Sequence, residues 1–298
     1  MDTLGSMFHH YVGQVQSLSK SPAVVTEENV YQESDDNIIP YLDKMVDALI
    51  LPGSGLDGLE NLEELLSIAE SGKSCLLLLE HYSNMDLSLF CSLAKNAGGR
   101  GEDIRRAVVA IAGMKLNEDN PIVSAFASAY SRIVIYPSRS LQGLQANKAE
   151  IARSNAINRS AMKALTDIKY TGKLILLFPS GTRYRPWDPS TKRGVREIDS
   201  YIKSFDYMCM VAINGEVLHV RQGDMLEDTV SKDVVRLSAG PVLSCHEFRE
   251  RTRAAVSAKT TTQGSSQPDK KQAVVDAIMD ELEKMHIAGE KRREQFLK

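Results

Sequence analysis

The sequence lacks the features that mark several common classes of protein. Its four cysteines, Cys75, Cys91, Cys209 and Cys245, are scattered without a C-x-x-C pair, so neither a disulfide scaffold nor a zinc site is indicated. We expect free, buried thiols instead. Basic residues are not in excess, since 36 Lys and Arg stand against 39 Asp and Glu. A general nucleic-acid binder usually carries a basic domain, so we expect no nucleic-acid partner.

Long hydrophobic runs are also missing. A membrane-spanning helix needs about 20 mostly apolar residues, and the apolar runs at 76–79 and 174–178 are much shorter. The first residues show no basic start followed by an apolar run, so they do not resemble a signal peptide. We therefore expect a cytoplasmic protein that can contact a membrane surface peripherally, or a plastid-stroma protein if the source is plant-like.

The chain does contain an alternation of short apolar runs and helical patterns. With 298 residues, it can bury a sizeable core without cross-links. The alternation predicts an α/β fold with a mainly parallel, mixed sheet and helices on both faces. We expect an N-terminal arm and small helical part at 1–72, with residues 1–37 the arm or a loosely attached helix. The α/β domain is expected at 73–256, followed at 257–298 by a linker, over 257–271, and a C-terminal helix.

The first candidate site follows the apolar run at 74–79. If this run is a parallel strand, the next residues lie at the carboxyl edge of the sheet, where α/β proteins bind ligands. His81 lies there, and Asp86 follows five residues later, in the first turn of the next predicted helix. A carboxylate that accepts one ring N–H fixes the imidazole tautomer and makes the other nitrogen a better base. The alternative is that His81 has only a structural role, since an Asp five residues after a His is common by chance. No role is indicated for His9, His10, His219, His246 or His286.

Arginines follow two further predicted strands. Arg139 follows one of them, and Arg183 and Arg185 follow the other. Because parallel strands end at one edge of a sheet, the three guanidinium groups are expected near the first candidate site, where they could bind a phosphate in forked geometry. The alternative is that the last two are solvated loop charges paired with Asp188 or Glu197.

A short turn precedes Arg183 and Arg185. It consists of Ser180, Gly181 and Thr182, and glycine permits a positive φ and close approach of a ligand to the backbone. Exposed N–H groups of such a turn favour phosphate binding, so we predict that this turn contacts the phosphate. A nucleophilic Ser180 is poorly supported, since the G-x-S-x-G pattern is absent.

Two motifs of this sequence match blocks of a known enzyme family. His81 and Asp86 fit an H-x-x-x-x-D block, and the run F-P-S-G-T-R at 178–183 is similar to an F-P-E-G-T-R block. Together they resemble the glycerol-phosphate acyltransferases. The longer run at 179–191 is closer to the P-S-G-G-R-D-R-P-D-P-S-T stretch of soluble plastid-type glycerol-3-phosphate acyltransferases, with Thr182 in place of a Gly and Trp187 as an extra residue.

The resemblance implies one acyl transfer without a covalent enzyme intermediate. His81 would take a proton from the sn-1 hydroxyl of glycerol 3-phosphate, and Asp86 would orient His81. The phosphate would be held by Arg139, Arg183 and Arg185, and the turn of Ser180, Gly181 and Thr182 would form the acceptor loop. The acyl donor would be a thioester of acyl carrier protein or coenzyme A, and neither a metal nor another cofactor is implied.

Three alternatives stay open. A lysophosphatidate acyltransferase uses the same chemistry on an acceptor that already carries one chain, but the S-G-T-R-Y-R-P run at 180–186 favours glycerol 3-phosphate. A non-catalytic lipid-phosphate binding module would keep the fold without turnover. A serine hydrolase would form an acyl-enzyme.

Overall fold

The apolar runs of the sequence form one large sheet, and the helical segments cover it. The structure, a computed structural model, describes residues 2–22, 24–114, 116, 121–137, 148–223, 227–263 and 269–297. The described helices are α1 (Leu4–Leu18), α2 (Ile39–Leu49), α3 (Leu59–Glu70), α4 (Asp86–Asn96), α5 (Gly101–Ala107), α6 (Pro121–Ala127), α7 (Lys148–Ile168), α8 (Ile198–Ser204), α9 (Cys245–Gln263) and α10 (Lys270–Arg293). The described strands are β1 (Tyr31–Gln32), β2 (Gly55–Asp57), β3 (Cys75–Leu79), β4 (Val108–Gly113), β5 (Arg132–Ile135), β6 (Leu174–Leu177), β7 (Tyr207–Asn214), β8 (Leu218–His219), β9 (Thr229–Val230), β10 (Arg236–Ala239) and β11 (Leu243–Ser244). Short 3-10 turns occur at Pro189–Lys192 and Glu294–Phe296.

The large sheet is mainly parallel. Its strand order is β1-β5-β4-β6-β3-β7-β10-β2, with β11 beside β7. The five inner strands from β5 to β7 pair in parallel, whereas β1, β10 and β11 run antiparallel to their neighbours in that inner set. The edge strand β2 pairs in parallel with β10. The predicted α/β class with a mixed, mainly parallel sheet is therefore confirmed.

The central strand β3 shows why its sequence is apolar throughout. All five of its residues are buried, and successive side chains point to opposite faces. Leu77 and Leu79 pack in the layer that holds α1 to α5, while Leu76 and Leu78 pack in the layer that holds α7 to α10. A strand covered on both faces has no polar side to alternate with, so it is a continuous apolar run.

The N-terminal part is more closely integrated than an arm. Helix α1 begins with a capping box, in which Thr3 and Ser6 exchange side-chain and backbone hydrogen bonds. Its Phe8 and Val15 are buried, so the expectation of a loosely attached segment was wrong. The short strands β1 and β2 form the two edges of the sheet. Two or three residues are too few to show a strand period, so the sequence did not reveal them. The domain boundaries themselves stay a prediction.

The expected linker at 257–271 is largely helical. Helix α9 continues to Gln263, and α10 begins at Lys270 after the cap of Asp269, which accepts backbone N–H bonds from two residues of the first turn. Residues 264–268 lie outside the described residues. The prediction failed because α9 is polar and has no strong apolar stripe to reveal a helix. The expected C-terminal helix is present as α10, which packs through one apolar stripe that includes the buried Val275, Ile278 and Leu282.

The four cysteines are free and buried, as expected. Burial raises the pKa of the Cys75 and Cys209 thiols to about 12. These thiols therefore stay protonated near neutral pH and act as small apolar side chains. Among the described helices, none combines the length and the apolar character needed to cross a bilayer.

Candidate active site

Two polar segments leave the carboxyl edge of the sheet side by side. Strands β3 and β6 pair in parallel with Leu78 opposite Leu177, so the chain after each strand emerges at the same edge. A backbone hydrogen bond of 2.8 Å from the N–H of Tyr184 to the carbonyl oxygen of His81 joins the two segments. The sheet register thus brings the predicted histidine and the predicted acceptor loop together.

His81 and Asp86 are in direct contact. His81 Nδ1 lies 2.9 Å from Asp86 Oδ2. Asp86 is the first residue of α4, as the sequence predicted, and only 1% of it is exposed. A carboxylate can only accept, so Nδ1 carries the hydrogen and Nε2 is the nitrogen with a free lone pair.

Asp86 is held in place by its own loop. Its Oδ2 also accepts backbone N–H bonds from Tyr82 at 2.6 Å and from Ser83 at 2.9 Å. Its Oδ1 accepts the hydroxyl of Ser83 at 2.8 Å. With so many donors fixed around it, the carboxylate has one orientation, and it transmits that orientation to the imidazole.

Phe178 supports the other side of the imidazole. Its ring is stacked on His81 with centroids 3.9 Å apart and planes 20° apart. Phe178 directly follows β6, so the sheet positions both members of the stack. No role was predicted for this aromatic residue, and its position in the F-P-S-G-T-R run was the available signal.

The predicted acceptor loop makes a tight turn next to His81. Gly181 has φ +65°, a conformation that an L side chain rarely adopts. A Cβ built there would lie 3.1 Å from a methyl group of Val195. The Ser180 hydroxyl is buried and donates to the carbonyl oxygen of Thr182 at 2.7 Å. That hydrogen bond gives Ser180 a structural role in the turn.

The two arginines that follow the predicted acceptor loop differ in their surroundings. Nη1 of Arg183 lies 2.5 Å from Oδ2 of Asp228, which is fully buried. The expected alternative partners were wrong for this residue, and the real partner is 45 positions away in the sequence. Arg185 is exposed, and its guanidinium forms no ion pair within the described part of the chain. Arg139 lies outside the described residues.

A small cavity adjoins His81. Its apolar walls come from three different parts of the chain, namely Leu79, Pro179, Met279 and Leu282. Within the described ranges, no group of three or more His, Cys, Asp or Glu side chains is arranged to hold a metal ion.

The model of the protein family described as Acyltransferase matches residues 56–225, which is more than half of the chain. The chain belongs to the Acyltransferase family. No curated protein gives a match. One similar solved structure is the 1-acyl-sn-glycerophosphate (LPA) acyltransferase PlsC from Thermotoga maritima, at 14% identity and a TM-score of 0.41. The alignment covers 93% of this chain and 88% of that chain.

The matched range of this acyltransferase contains every residue that the sequence suggested for the site. Of these residues, the structure places His81 against Asp86 and places the loop at 180–185 beside them. The match to the family model confirms the family expected from the two motifs, while the individual roles of the residues stay predictions. Sequence reasoning missed Asp228, because a single acid in a loop carries no pattern.

Proposed function

We propose that this acyltransferase moves a fatty acyl chain to the sn-1 hydroxyl of glycerol 3-phosphate, a step of phospholipid biosynthesis. The donor is a thioester of acyl carrier protein or coenzyme A. The observation that carries the proposal is the hydrogen-bonded pair of His81 and Asp86, which lies at the carboxyl edge of the sheet beside a loop with two arginines.

The pair is suited to a direct transfer. Nε2 of His81 takes the proton of the acceptor hydroxyl as its oxygen attacks the thioester carbonyl carbon. The carbon–sulfur bond then breaks, and the departing sulfur receives the proton from Nε2. Asp86 stabilises the imidazolium that exists between these two proton transfers. General-base catalysis of this kind contributes typically about 10²–10⁴-fold to the rate.

The acceptor phosphate is assigned to the arginines. Arg183 uses Nη1 for Asp228, and its other N–H groups make no hydrogen bond within the described residues, so they can bind an anion. The exposed Arg185 supplies a second guanidinium. Arg139 is proposed as a third from its position after a predicted strand and from the family resemblance. Fixing the phosphate aims the hydroxyl at the thioester, which can lower the barrier by several kcal/mol.

The acceptor itself is proposed from the loop sequence. The turn of Ser180, Gly181 and Thr182 and the arginines after it resemble the enzymes that acylate glycerol 3-phosphate. Lysophosphatidate carries the same phosphate and a free hydroxyl, so the same residues would serve it equally well. The two acceptors must therefore be compared directly.

The decisive experiment measures thiol release by the purified protein. Palmitoyl thioesters of acyl carrier protein and of coenzyme A are offered with glycerol 3-phosphate, with lysophosphatidate and with no acceptor. The control is His81→Ala, with folding checked by circular dichroism. We expect release that requires glycerol 3-phosphate and is lost in the variant, because the variant has no base.

Each other outcome changes a particular part of the proposal. Release only with lysophosphatidate keeps the mechanism and replaces the acceptor. Release without any acceptor indicates a hydrolase. If a folded His81→Ala variant keeps most of the activity, His81 is not the base, and if the wild type releases no thiol, the protein is a binding module.

A further inference from the structure

A second cluster of titratable side chains lies beside the proposed active site. Glu80 directly precedes His81 and is only 5% exposed. Its Oε2 accepts the backbone N–H of Ile213 at 2.7 Å and lies 3.1 Å from Nδ1 of His286. Its Oε1 accepts the hydroxyl of Tyr82 at 3.1 Å. A buried carboxylate needs such donors, so the position of Glu80 depends on the side chains that surround it.

Tyr82 connects this cluster to the proposed catalytic pair. Its backbone N–H donates to Asp86, while its hydroxyl donates to Glu80 and lies 3.3 Å from Nδ1 of His286. Its ring also lies edge-on to that of Tyr184, two residues after the acceptor loop, with centroids 6.1 Å apart. The loop between β3 and α4 is therefore held from both of its ends.

Helix α10, which carries His286, also contacts residues 192–194, which lie in the same connection between β6 and α8 as the acceptor loop. Nζ of Lys192 lies 2.5 Å from Oε2 of Glu283, one turn before His286. Nε2 of Gln272 donates to the carbonyl oxygen of Gly194 at 3.1 Å. One C-terminal helix thus contacts both loops of the proposed active site.

The charges around His286 favour its protonated form. Burial lowers the pKa of His286, but the hydrogen bond and charge of Glu80 outweigh burial and raise the pKa above 6.5. Lys192 acts to lower this pKa and Glu283 acts to raise it, while Tyr82 faces the ring with a hydroxyl. The pKa of His286 is higher in the folded than in the unfolded protein. The ion pair of His286 and Glu80 therefore stabilises the fold fully at a pH below the unfolded-state pKa, and this stabilisation is lost as the pH rises through the folded-state pKa.

We propose that His286 is a positioning residue: its imidazolium pairs with the buried Glu80 and so holds the loop that carries His81 in the orientation needed for proton transfer. This inference rests on the proposed function, because it takes His81 as the base. When His286 loses its proton, Glu80 is left buried without its counter-charge, and its move toward water displaces the next residue in the chain. A displacement of about 1 Å can lower a rate by about 10²-fold. Turnover therefore declines at high pH.

The test uses two variants and a matched control in the full-length protein. His286→Asn keeps a neutral N–H donor near the Nδ1 position, and Glu80→Gln removes the charge of its partner. His219→Asn is the control, since His219 also lies near a carboxylate, Glu216 at 3.2 Å, but belongs to β8. For each protein, kcat and the acceptor KM are measured from pH 6 to 10 by thiol release, and folding is checked by thermal melting.

We expect the two variants to lower kcat by at least about 10-fold, to leave the acceptor KM within about twofold and to lose the decline of kcat at high pH. The control keeps the wild-type profile. If His286 and Glu80 had a merely structural role, the two variants would have a lower melting temperature but would keep the decline of kcat at high pH. The proposal is overturned if folded His286→Asn and Glu80→Gln keep the wild-type kcat and its pH profile.

A measurement without turnover separates this inference from the proposed function. The ring of His286 is titrated by NMR in the wild type and in Glu80→Gln. We expect a titration above 6.5 in the wild type and a lower one in the variant. If the pKa of His286 is the same in Glu80→Gln as in the wild type, His286 and Glu80 do not pair in solution and the proposal is refuted. A wild type that releases no thiol contradicts the proposed function instead.

Discussion

Replacing Asp86 with asparagine separates the charge of the site from its geometry. Three N–H donors converge on Oδ2 of Asp86, from His81, Tyr82 and Ser83. Only the hydroxyl of Ser83 faces Oδ1. The carbonyl oxygen of the new amide can therefore take the place of Oδ2, and its NH₂ group can take the place of Oδ1. The Ser83 hydroxyl can rotate to accept from that group. We expect the orientation of the imidazole to survive.

What the substitution removes is the negative charge next to the imidazolium. Two unit charges about 4 Å apart interact by about 4 kcal/mol at an effective dielectric constant of about 20. A tenfold change in rate corresponds to about 1.36 kcal/mol. Because Asp86 is 1% exposed, solvent ions screen the pair only weakly. Asp86→Asn is therefore expected to lower kcat by up to about 10³-fold.

The assay is thiol release at saturating donor and acceptor, with the melting temperature measured on the same samples. Ser83→Ala is the matched control, because it removes the donor to Oδ1 and leaves the charge. We expect this control to lose about 0.5–1.5 kcal/mol of stability, the usual net value of one hydrogen bond, and to keep most of its kcat. If folded Asp86→Asn stays within about threefold of the wild-type kcat while His81→Ala is inactive, the charge argument is refuted.

Two further predictions concern the segment after the acceptor loop and the helix that contacts it. Arg185→Ala is expected to raise the KM for the acceptor while leaving the thioester KM unchanged. The control is Arg106→Ala, in α5 near the amino end of β4. Steady-state kinetics that show no rise in the acceptor KM exclude Arg185 from the phosphate site. Gly194→Ala would place a Cβ atom 2.9 Å from Met279 Cγ and closer still to Val275, so urea unfolding should show a loss of about 1–3 kcal/mol. Gly13→Ala in α1 has open space around its Cβ and should gain about 0.5–1 kcal/mol; equal effects at the two glycines would contradict this packing argument.

The sequence by itself determined the elements whose signals are local. The apolar run of β3 predicts a buried strand, because it is too short for a helix and no polar face alternates with the apolar one. The H-x-x-x-x-D spacing could be interpreted because His81 and Asp86 lie on one short loop at the end of that strand. The parallel sheet then accounts for the meeting of this loop with the segment after β6, since both strands end at the same edge.

Only the tertiary structure decided which distant partners complete the site. Asp228 pairs with Arg183 from 45 positions away, and His286 reaches Glu80 from 206 positions away. Neither partner belongs to a periodic pattern, and a single charged residue has the same appearance in sequence whether it is solvated or buried. The edge strands β1 and β2 were likewise invisible, since two or three residues show no period. The spacing of apolar residues in a helix or strand indicates which of its faces is buried. Which other element packs against that face is decided by the packing of the whole chain.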